Sequence, residues 1–482
     1  MKYRLLKAQA KKNKFIKRVE KVRQEEDSDG DLSSDDEQEV SDNFIGNLLN
    51  DKYIVIKYLS RGTFCKVWLV YDLTVNKYYA LKIQEDNDDD TLINEIKMLN
   101  TVHRDGVCSK ICEMIDNFDI KIEGRNRKTI LLELLGNSLS YLVYEENDDI
   151  ITSDMIRKIM KSLLEGINVL HKKNLIHCDL KLDNILFRES NKKIKSIIGD
   201  VDKLNLHQSY NIILEETVNK KLVGLDKSKR KTMKKKLKKR IIKELCNENS
   251  SKIIEINNKI NVLNIKNLVN KELNIEELRE EDLDKEKEEE LNEDDKYRLD
   301  IDLDNIDVKL LDLGNTEFIS SKNDEEIYTR CYRPPENIIN GTFNTKADIW
   351  VIGCMLYELL VGDTIFDFED CDKVDIEKDR FHLAQMYSLL GKMPRDMTLE
   401  CEYSDEYFDM KGRILKNRNI EMRDLKGELT NRIDMEDEEL DLLLDFIGKM
   451  LEYDPNKRSS AEDLLKHNWL NDYLENMKIE II

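Results

Sequence analysis

The chain has 482 residues, 40% hydrophobic and 37% charged, and its 99 acidic against 78 basic side chains give a formal net charge of -21. That length allows two to four domains of about 100–200 residues, the apolar share allows a packed core, and the charge balance disfavours non-specific DNA binding while suiting a cationic partner. No apolar run approaches the roughly 18 residues that span a bilayer, the basic N-terminus lacks the apolar core of a secretory signal, and the nine cysteines form no Cys-x-x-Cys pair, so membrane, secreted, disulfide-framework and zinc-site classes fall away in favour of a reducing compartment.

Along the chain the composition shifts several times. Residues 1–24 are basic and 25–43 acidic and serine-bearing, so 1–43 reads as a disordered tail. Ser28, Ser33 and Ser34, with acids nearby, fit sites for an acid-directed kinase. Residues 44–187 look globular. Tyr53–Leu59, Val67–Tyr71, Tyr78–Ile83 and Ile130–Leu135 are rich in the β-branched and aromatic residues that favour strands. Ile96 and Leu99 have helical spacing. From Asp154 to His171 the apolar residues Ile156, Ile159, Met160, Leu163, Leu164, Ile167 and Leu170 mark one helical face.

Residues 188–307 are dominated by Lys, Glu, Asp and Asn, with a basic block at Lys229–Arg240 and an acidic one at Glu276–Asp295. This insertion is expected to be largely disordered. The basic block reads as a solvated tract, with nuclear import or an RNA contact as its functional alternatives. Residues 308–470 are globular again, with helical patterns at Ala347–Leu360 and Glu438–Leu451, and 471–482 form a tail. The expected fold is therefore α+β: a small β-rich lobe, then a larger helical lobe carrying the insertion.

Four segments carry chemistry. Between two strands lies Leu59, Ser60, Arg61, Gly62, Thr63, Phe64, Cys65, Lys66 and Val67. A glycine in such a turn lets backbone N–H groups approach phosphate oxygens; an ordinary hairpin has the same shape. Lys82 ends a strand and Glu95 follows in a helix, which suits a phosphate-binding lysine held by a carboxylate, or a plain surface pair. Asp179, Lys181 and Asn184 follow the long amphipathic helix. They supply a carboxylate to orient a hydroxyl, a cation for a phosphoryl group and an oxygen ligand for Mg2+. Asp312, with Gly314 beyond it, follows an apolar strand and suits a second metal ligand.

Taken in order, these segments resemble those of a eukaryotic protein kinase. The resemblance runs from Tyr53 to Leu470 outside the insertion and includes Thr329–Glu336, Ala347–Trp350 and Asp454–Arg458. It implies a bilobal kinase fold and the cofactors ATP and Mg2+. Asp179 would be the catalytic base, Lys181 would steady the γ-phosphoryl, and Asn184 and Asp312 would hold Mg2+. Lys82, held by Glu95, would meet the α- and β-phosphates. Glu133 to Leu135 would offer backbone groups to adenine above a floor at Leu186. Glu336 would pair with Arg458, and Asp348 would anchor the catalytic-loop backbone. Lys181 and Thr329 resemble the serine/threonine rather than the tyrosine branch.

Two departures stand out. Ser60 and Cys65 replace two loop glycines, which reshapes nucleotide binding. Cys178 replaces the arginine that in the family receives an activation-loop phosphate, which implies activity without that phosphate. Within the kinases, Phe44–Tyr53, Val67–Leu69, Leu134–Gly136, Asp312–Asn315, Gly362–Phe366, Leu389–Arg395 and the position of the charged spacer are similar to SR-protein kinases. That implies an Arg/Ser-rich protein substrate drawn to an acidic groove near Asp363–Asp379, although Ser388 stands where a groove acid is expected. A monomer in cytoplasm and nucleus is expected, with neither membrane nor nucleic acid as a direct partner. The alternatives are a catalytically weak or silent kinase-like scaffold, an RNA-binding protein using the basic block, and a proline-directed kinase relative.

Overall fold

The computed structural model describes residues 44–62, 65–85, 90–122, 124–144, 151–189, 191–221, 226–277, 306–319, 327–341, 343–367, 375–416 and 420–471. The expected tail at 1–43 and all but residue 471 of the tail at 471–482 lie outside the described residues. The elements run β1 Leu48–Leu49, β2 Tyr53–Arg61, β3 Cys65–Asp72, β4 Lys77–Gln84, α1 Thr91–Val102, β5 Met114–Ile122, β6 Arg125–Glu133, α2 Leu139–Tyr144, α3 Ser153–Lys172, β7 Leu175–Ile176 and β8 Ile185–Phe187. Next come α4 Lys192–Asp202, α5 Leu206–Lys221, α6 Lys227–Glu277, β9 Val308–Leu310, β10 Glu317–Phe318, α7 Pro335–Ile338 and α8 Ala347–Val361. The last are α9 Asp375–Leu390, α10 Arg395–Glu400, α11 Ser404–Tyr407, α12 Leu425–Thr430, α13 Asp437–Met450 and α14 Ala461–Leu464.

The chain divides into two compact units. The first holds residues 1–92, 114–136 and 189–300, the second 93–113, 137–188 and 301–482. In the first, six antiparallel strands run in the order β1-β2-β3-β4-β6-β5. The expected strands are all present. β5 carries no strong strand signal, because Asn117, Asp119 and Lys121 face outward beside Ile115 and only Ile120 is buried. Ile54, Val55, Ile56, Leu69, Val70, Leu81 and Leu131 form the core beneath the sheet. Trp68 takes the rings of Phe44 and Tyr58 edge-on at 4.9 and 5.2 Å, a geometry aromatic quadrupoles favour.

The described part of the insertion corrects the expectation of disorder there; residues 190, 222–225 and 278–305, with nearly all of the acidic block, lie outside the described residues. Residues 192–202, 206–221 and 227–277 are helical. Average composition hid their periodicity. Ile194, Ile197 and Val201 are buried on α4; Leu237, Ile241, Ile242, Leu245, Cys246, Asn249, Ile253 and Asn257 are buried on α6. Both sets follow the helical repeat of about 3.6 residues. Asn191 caps α4 by accepting the Ile194 amide at 2.8 Å. These helices join the core of the first unit rather than the second. The Tyr78 hydroxyl donates to Asp202 at 2.7 Å, the His207 ring meets the Leu73 carbonyl at 2.8 Å, and the Cys246 thiol meets the Gly46 carbonyl at 3.1 Å. Gly46 has a φ of 79°, and a Cβ there would lie 3.0 Å from the Ser250 Cβ, so the turn before β1 can approach α6 this closely only through glycine. The basic block sits on α6 with Leu237 buried and most lysines exposed, as a solvated tract should be. Ile241→Ala and Leu245→Ala should each cost about 2–5 kcal/mol of the first unit's stability. Urea unfolding followed by the fluorescence of Trp68 checks this, and unchanged midpoints would detach α6 from the core.

The second unit is mainly helical. α3 is buried along the apolar stripe read from the sequence, and every residue of α8 except Leu360 is buried. Gly353 of α8 faces α13, where a Cβ would stand 2.9 Å from Leu451 Cδ2 and 3.0 Å from Met450 Cβ. Two short ribbons, β8–β9 and β7–β10, complete the unit.

Candidate active site

The ribbons bring distant segments together. β8 pairs antiparallel with β9, Ile185 opposite Leu310 and Phe187 opposite Val308. The insertion leaves the second unit after Arg188 and the chain re-enters at residue 301, so two strands adjacent in space enclose more than a hundred residues of sequence. Beyond the ribbon, the Leu311 amide donates to the Asn184 carbonyl at 2.9 Å. The His177 ring meets the Leu311 carbonyl at 3.0 Å. Asp312 therefore follows directly on a segment bonded to the loop that carries Asp179, Lys181 and Asn184. It holds a left-handed backbone, φ 59°, and is half-buried.

Inside the loop, the Lys181 ammonium lies 3.1 Å from Asp179 Oδ2. The Asn184 amide nitrogen donates to the Asp179 carbonyl oxygen at 2.8 Å and to its Oδ2 at 3.2 Å. Asp179 is thus held by two donors on the residues predicted to work with it. Asn184 is buried and spends its nitrogen on Asp179, which leaves Oδ1 for a cation. One amide oxygen plus the Asp312 carboxylate suits Mg2+, which binds few protein oxygens and keeps phosphates and waters. No cluster of three or more His, Cys, Asp or Glu occurs among the described residues to make an all-protein cage.

The frame behind the loop matches the expected structural roles. Asp348 is fully buried on α8; its Oδ2 accepts the His177 amide at 3.0 Å and meets His171 Nε2 at 2.9 Å. Burial alone would raise the Asp348 carboxyl, but the His171 bond and the His177 amide outweigh it and hold it below its ordinary value of 3.8. Its contribution to stability is therefore fully present above pH 3.8 and is lost as pH falls below it. Asp348→Asn should flatten that acid limb, measured as the pH dependence of the urea midpoint between pH 3 and 7; an unchanged limb would contradict it. Arg458 forks onto Glu336 at 2.7 and 2.9 Å, both side chains fully buried.

In the first unit, the β2–β3 turn is tight. Arg61 pairs with Lys66, and the Gly62 amide donates to the Cys65 carbonyl at 2.8 Å. Thr63 and Phe64 of the expected phosphate loop lie outside the described residues. Cys65 is buried, and its sulfur would lie 3.2 Å from a Cβ on Gly62. Ser60 and Cys65 thus add side chains without opening the turn. Lys66 is drawn aside by Glu85 at 2.9 Å. Lys82 lies on a central strand, opposite Val67 of β3 and Ile130 of β6. Glu133 ends β6, and Leu135 is buried just beyond it. Lys82 and Glu95 belong to different units, so their pairing rests on the resemblance; Glu95 is buried on α1.

Of the acidic stretch anticipated as a docking groove, Asp363, Glu377 and Asp379 are paired within the second unit. Asp363 meets Arg432 at 2.8 Å, and Asp379 holds Arg330 and, at 3.2 Å, the Tyr407 hydroxyl. Ser388 is buried and its hydroxyl donates to the Glu421 carbonyl. Residues 368–374 of that stretch lie outside the described residues. The sequence reading missed Tyr328, whose hydroxyl reaches the second oxygen of Asp348; no periodicity or motif marks it.

The sheet-bearing unit, the catalytic-loop geometry and the buried Glu336–Arg458 pair define a protein kinase. The family described as "Protein kinase domain" matches residues 53–211 and 299–470, and the chain belongs to that family. Its relatives are of the serine/threonine type. The chain is 26% identical to a serine/threonine-protein kinase SRPK of Physarum polycephalum, over 89% of this chain and 88% of the other. It is 26% identical to SRSF protein kinase 3 of Mus musculus, over 91% of each. It is also 26% identical to the serine/threonine-protein kinase spk-1 of Caenorhabditis elegans, over 88% of this chain, but spans only 49% of that protein's length. A crystallised kinase domain shares the fold at a TM-score of 0.55 and 20% identity, covering 88% of this chain and 97% of the other.

Proposed function

We propose that this protein transfers the γ-phosphoryl group of ATP to serines in Arg/Ser-rich proteins of the splicing-factor type, and that it does so without a phosphorylated activation segment. The observation that carries the transfer is the meeting of Asp179, Lys181 and Asn184 with the segment leading to Asp312. Asp179 orients the serine hydroxyl and accepts its proton. Lys181, 3.1 Å from that carboxylate, steadies the phosphoryl oxygens as charge shifts onto the leaving group. Asn184 and Asp312 supply oxygens for Mg2+, which neutralises phosphate charge when bound. In the first unit Lys82 would hold the α- and β-phosphates and Glu133 to Leu135 would offer backbone groups to adenine; the roles of Glu95 and Leu186, which belong to the second unit, rest on the resemblance alone.

The substrate reading is supported by the relatives, two of whose names are SRPK and SRSF protein kinase, and by the net charge of -21. The pairing of Asp363 and Asp379 within the chain leaves less uncompensated acid for an arginine-rich strand, which favours weaker docking than an open acidic groove would give. Phosphate independence is supported by Cys178, which offers no cation to a phosphate. Presence in cytoplasm and nucleus is supported by the exposed basic face of α6. Tyr332, Arg333 and Pro334 keep a proline-directed activity as a second reading. Purified protein with Mg-ATP, offered an Arg-Ser peptide and a Ser-Pro peptide side by side, decides. Preferential transfer to Arg-Ser supports the proposal, preference for Ser-Pro overturns the substrate class, and transfer no greater than that of Asp179→Ala overturns the activity.

A further inference from the structure

We propose that Tyr328 is a positioning residue, a built-in latch that ties the segment entering Thr329 to the catalytic loop; the idea deepens the reading above and rests on it. Two bonds make the latch. The Tyr328 hydroxyl donates to Asp348 Oδ1 at 2.8 Å, and its amide donates to the Cys178 carbonyl at 3.1 Å. Both acceptors belong to the support of Asp179. Cys178 precedes it directly, and the other oxygen of Asp348 accepts the His177 amide. One residue therefore grips the catalytic loop through its backbone and the aspartate behind that loop through its side chain.

The backbone of Tyr328 shows that its side chain matters. Its φ is 67°, a left-handed conformation that glycine adopts without strain and a bulky aromatic does not. Such a residue persists where its surroundings over-determine it. Here those surroundings are burial, the ionised Asp348 and the ring of Phe343 with its centroid 6.3 Å away. Cys178 makes the arrangement possible. It is buried with its own left-handed backbone, φ 67°, and its thiol bonds weakly to the Ile176 carbonyl at 3.5 Å. A short neutral side chain there needs no anion, so the neighbouring space goes to a phenol. Burial and the nearby Asp348 push the phenol of Tyr328 far above its ordinary value of 10, so it stays a donor.

The test uses the full chain, treated with phosphatase and checked by mass spectrometry, with Mg-ATP and an Arg-Ser peptide; ATP hydrolysis without peptide gives a rate independent of substrate choice. Tyr328→Phe removes only the hydroxyl, and Tyr328→Gly removes the side chain while keeping the backbone unstrained. Losing a hydrogen bond to a charged group shifts an equilibrium by about tenfold or more. We expect kcat to fall by about that factor in Tyr328→Phe and further in Tyr328→Gly, with the KM for ATP little changed. Amide exchange over 327–332 should quicken while that over 347–361 does not. Both variants keeping wild-type kcat and local exchange, or losing only thermal midpoint, would overturn the latch. So would an unprotected Tyr328 amide in the wild type, whatever the variants do. If phosphatase alone abolishes wild-type activity, phosphate independence fails, and the exchange of the wild-type amide still judges the latch separately.

Discussion

Asp179→Ala should lower the phosphoryl-transfer rate by about 10²–10⁴-fold, the usual contribution of a positioned acid–base group, while leaving the fold intact. The reason is in the hydrogen-bond pattern. Asn184 donates both to the Asp179 side chain and, at 2.8 Å, to its carbonyl oxygen. The alanine variant keeps the second bond and so keeps the loop. Lys181 is about one-third exposed and finds water in place of the lost carboxylate. The expected signature is therefore a collapse of kcat with a thermal midpoint near that of the wild type. A midpoint lowered by several degrees with only a modest loss of rate would make Asp179 structural and remove the base from the mechanism.

Arg458→Met should be the most damaging single change to stability, at about 3–5 kcal/mol, because it strands the buried carboxylate of Glu336. The loss extends beyond that pair. The Arg458 guanidinium also donates to the carbonyls of Glu452 and Lys346, each at 2.8 Å, and lies 5.2 Å from the ring centroid of Trp350. The double variant Arg458→Met with Glu336→Leu should recover part of the loss, since it removes the unpaired charge as well as the bond. Urea denaturation of wild type, single and double variants gives the comparison. A double variant no more stable than the single would mean that the backbone carbonyls, rather than Glu336, carry the cost.

Elements with strong periodicity are legible in the sequence. The stripe from Ile156 to Leu170 became α3, and the Val- and Tyr-rich runs became β2, β3 and β4. In the insertion, average composition hides the period. Its charge density masks Leu237, Ile241, Leu245 and Ile253, which are spaced as a helix requires and buried as a core requires. β5 is hidden for a related reason: three of its four exposed positions carry Asn117, Asp119 and Lys121. Two acids illustrate a different limit. Asp363 and Asp379 look unpaired in sequence, and only folding brings Arg432 and Arg330 to them.

By itself, the sequence determined the reaction class, because phosphoryl transfer needs a carboxylate, a cation and oxygen ligands of fixed kinds, and Asp179, Lys181, Asn184 and Asp312 occur in short segments with recognisable neighbours. It also determined the buried pair of Glu336 and Arg458 through the same resemblance. The tertiary structure alone decided that α4 to α6 complete the core of the first unit, that Asp363 and Asp379 pair with Arg432 and Arg330, and that Tyr328 meets Asp348. These are contacts between residues far apart in the chain, whose side chains have no local pattern to announce them; their energies exist only once packing has removed water and fixed the distances.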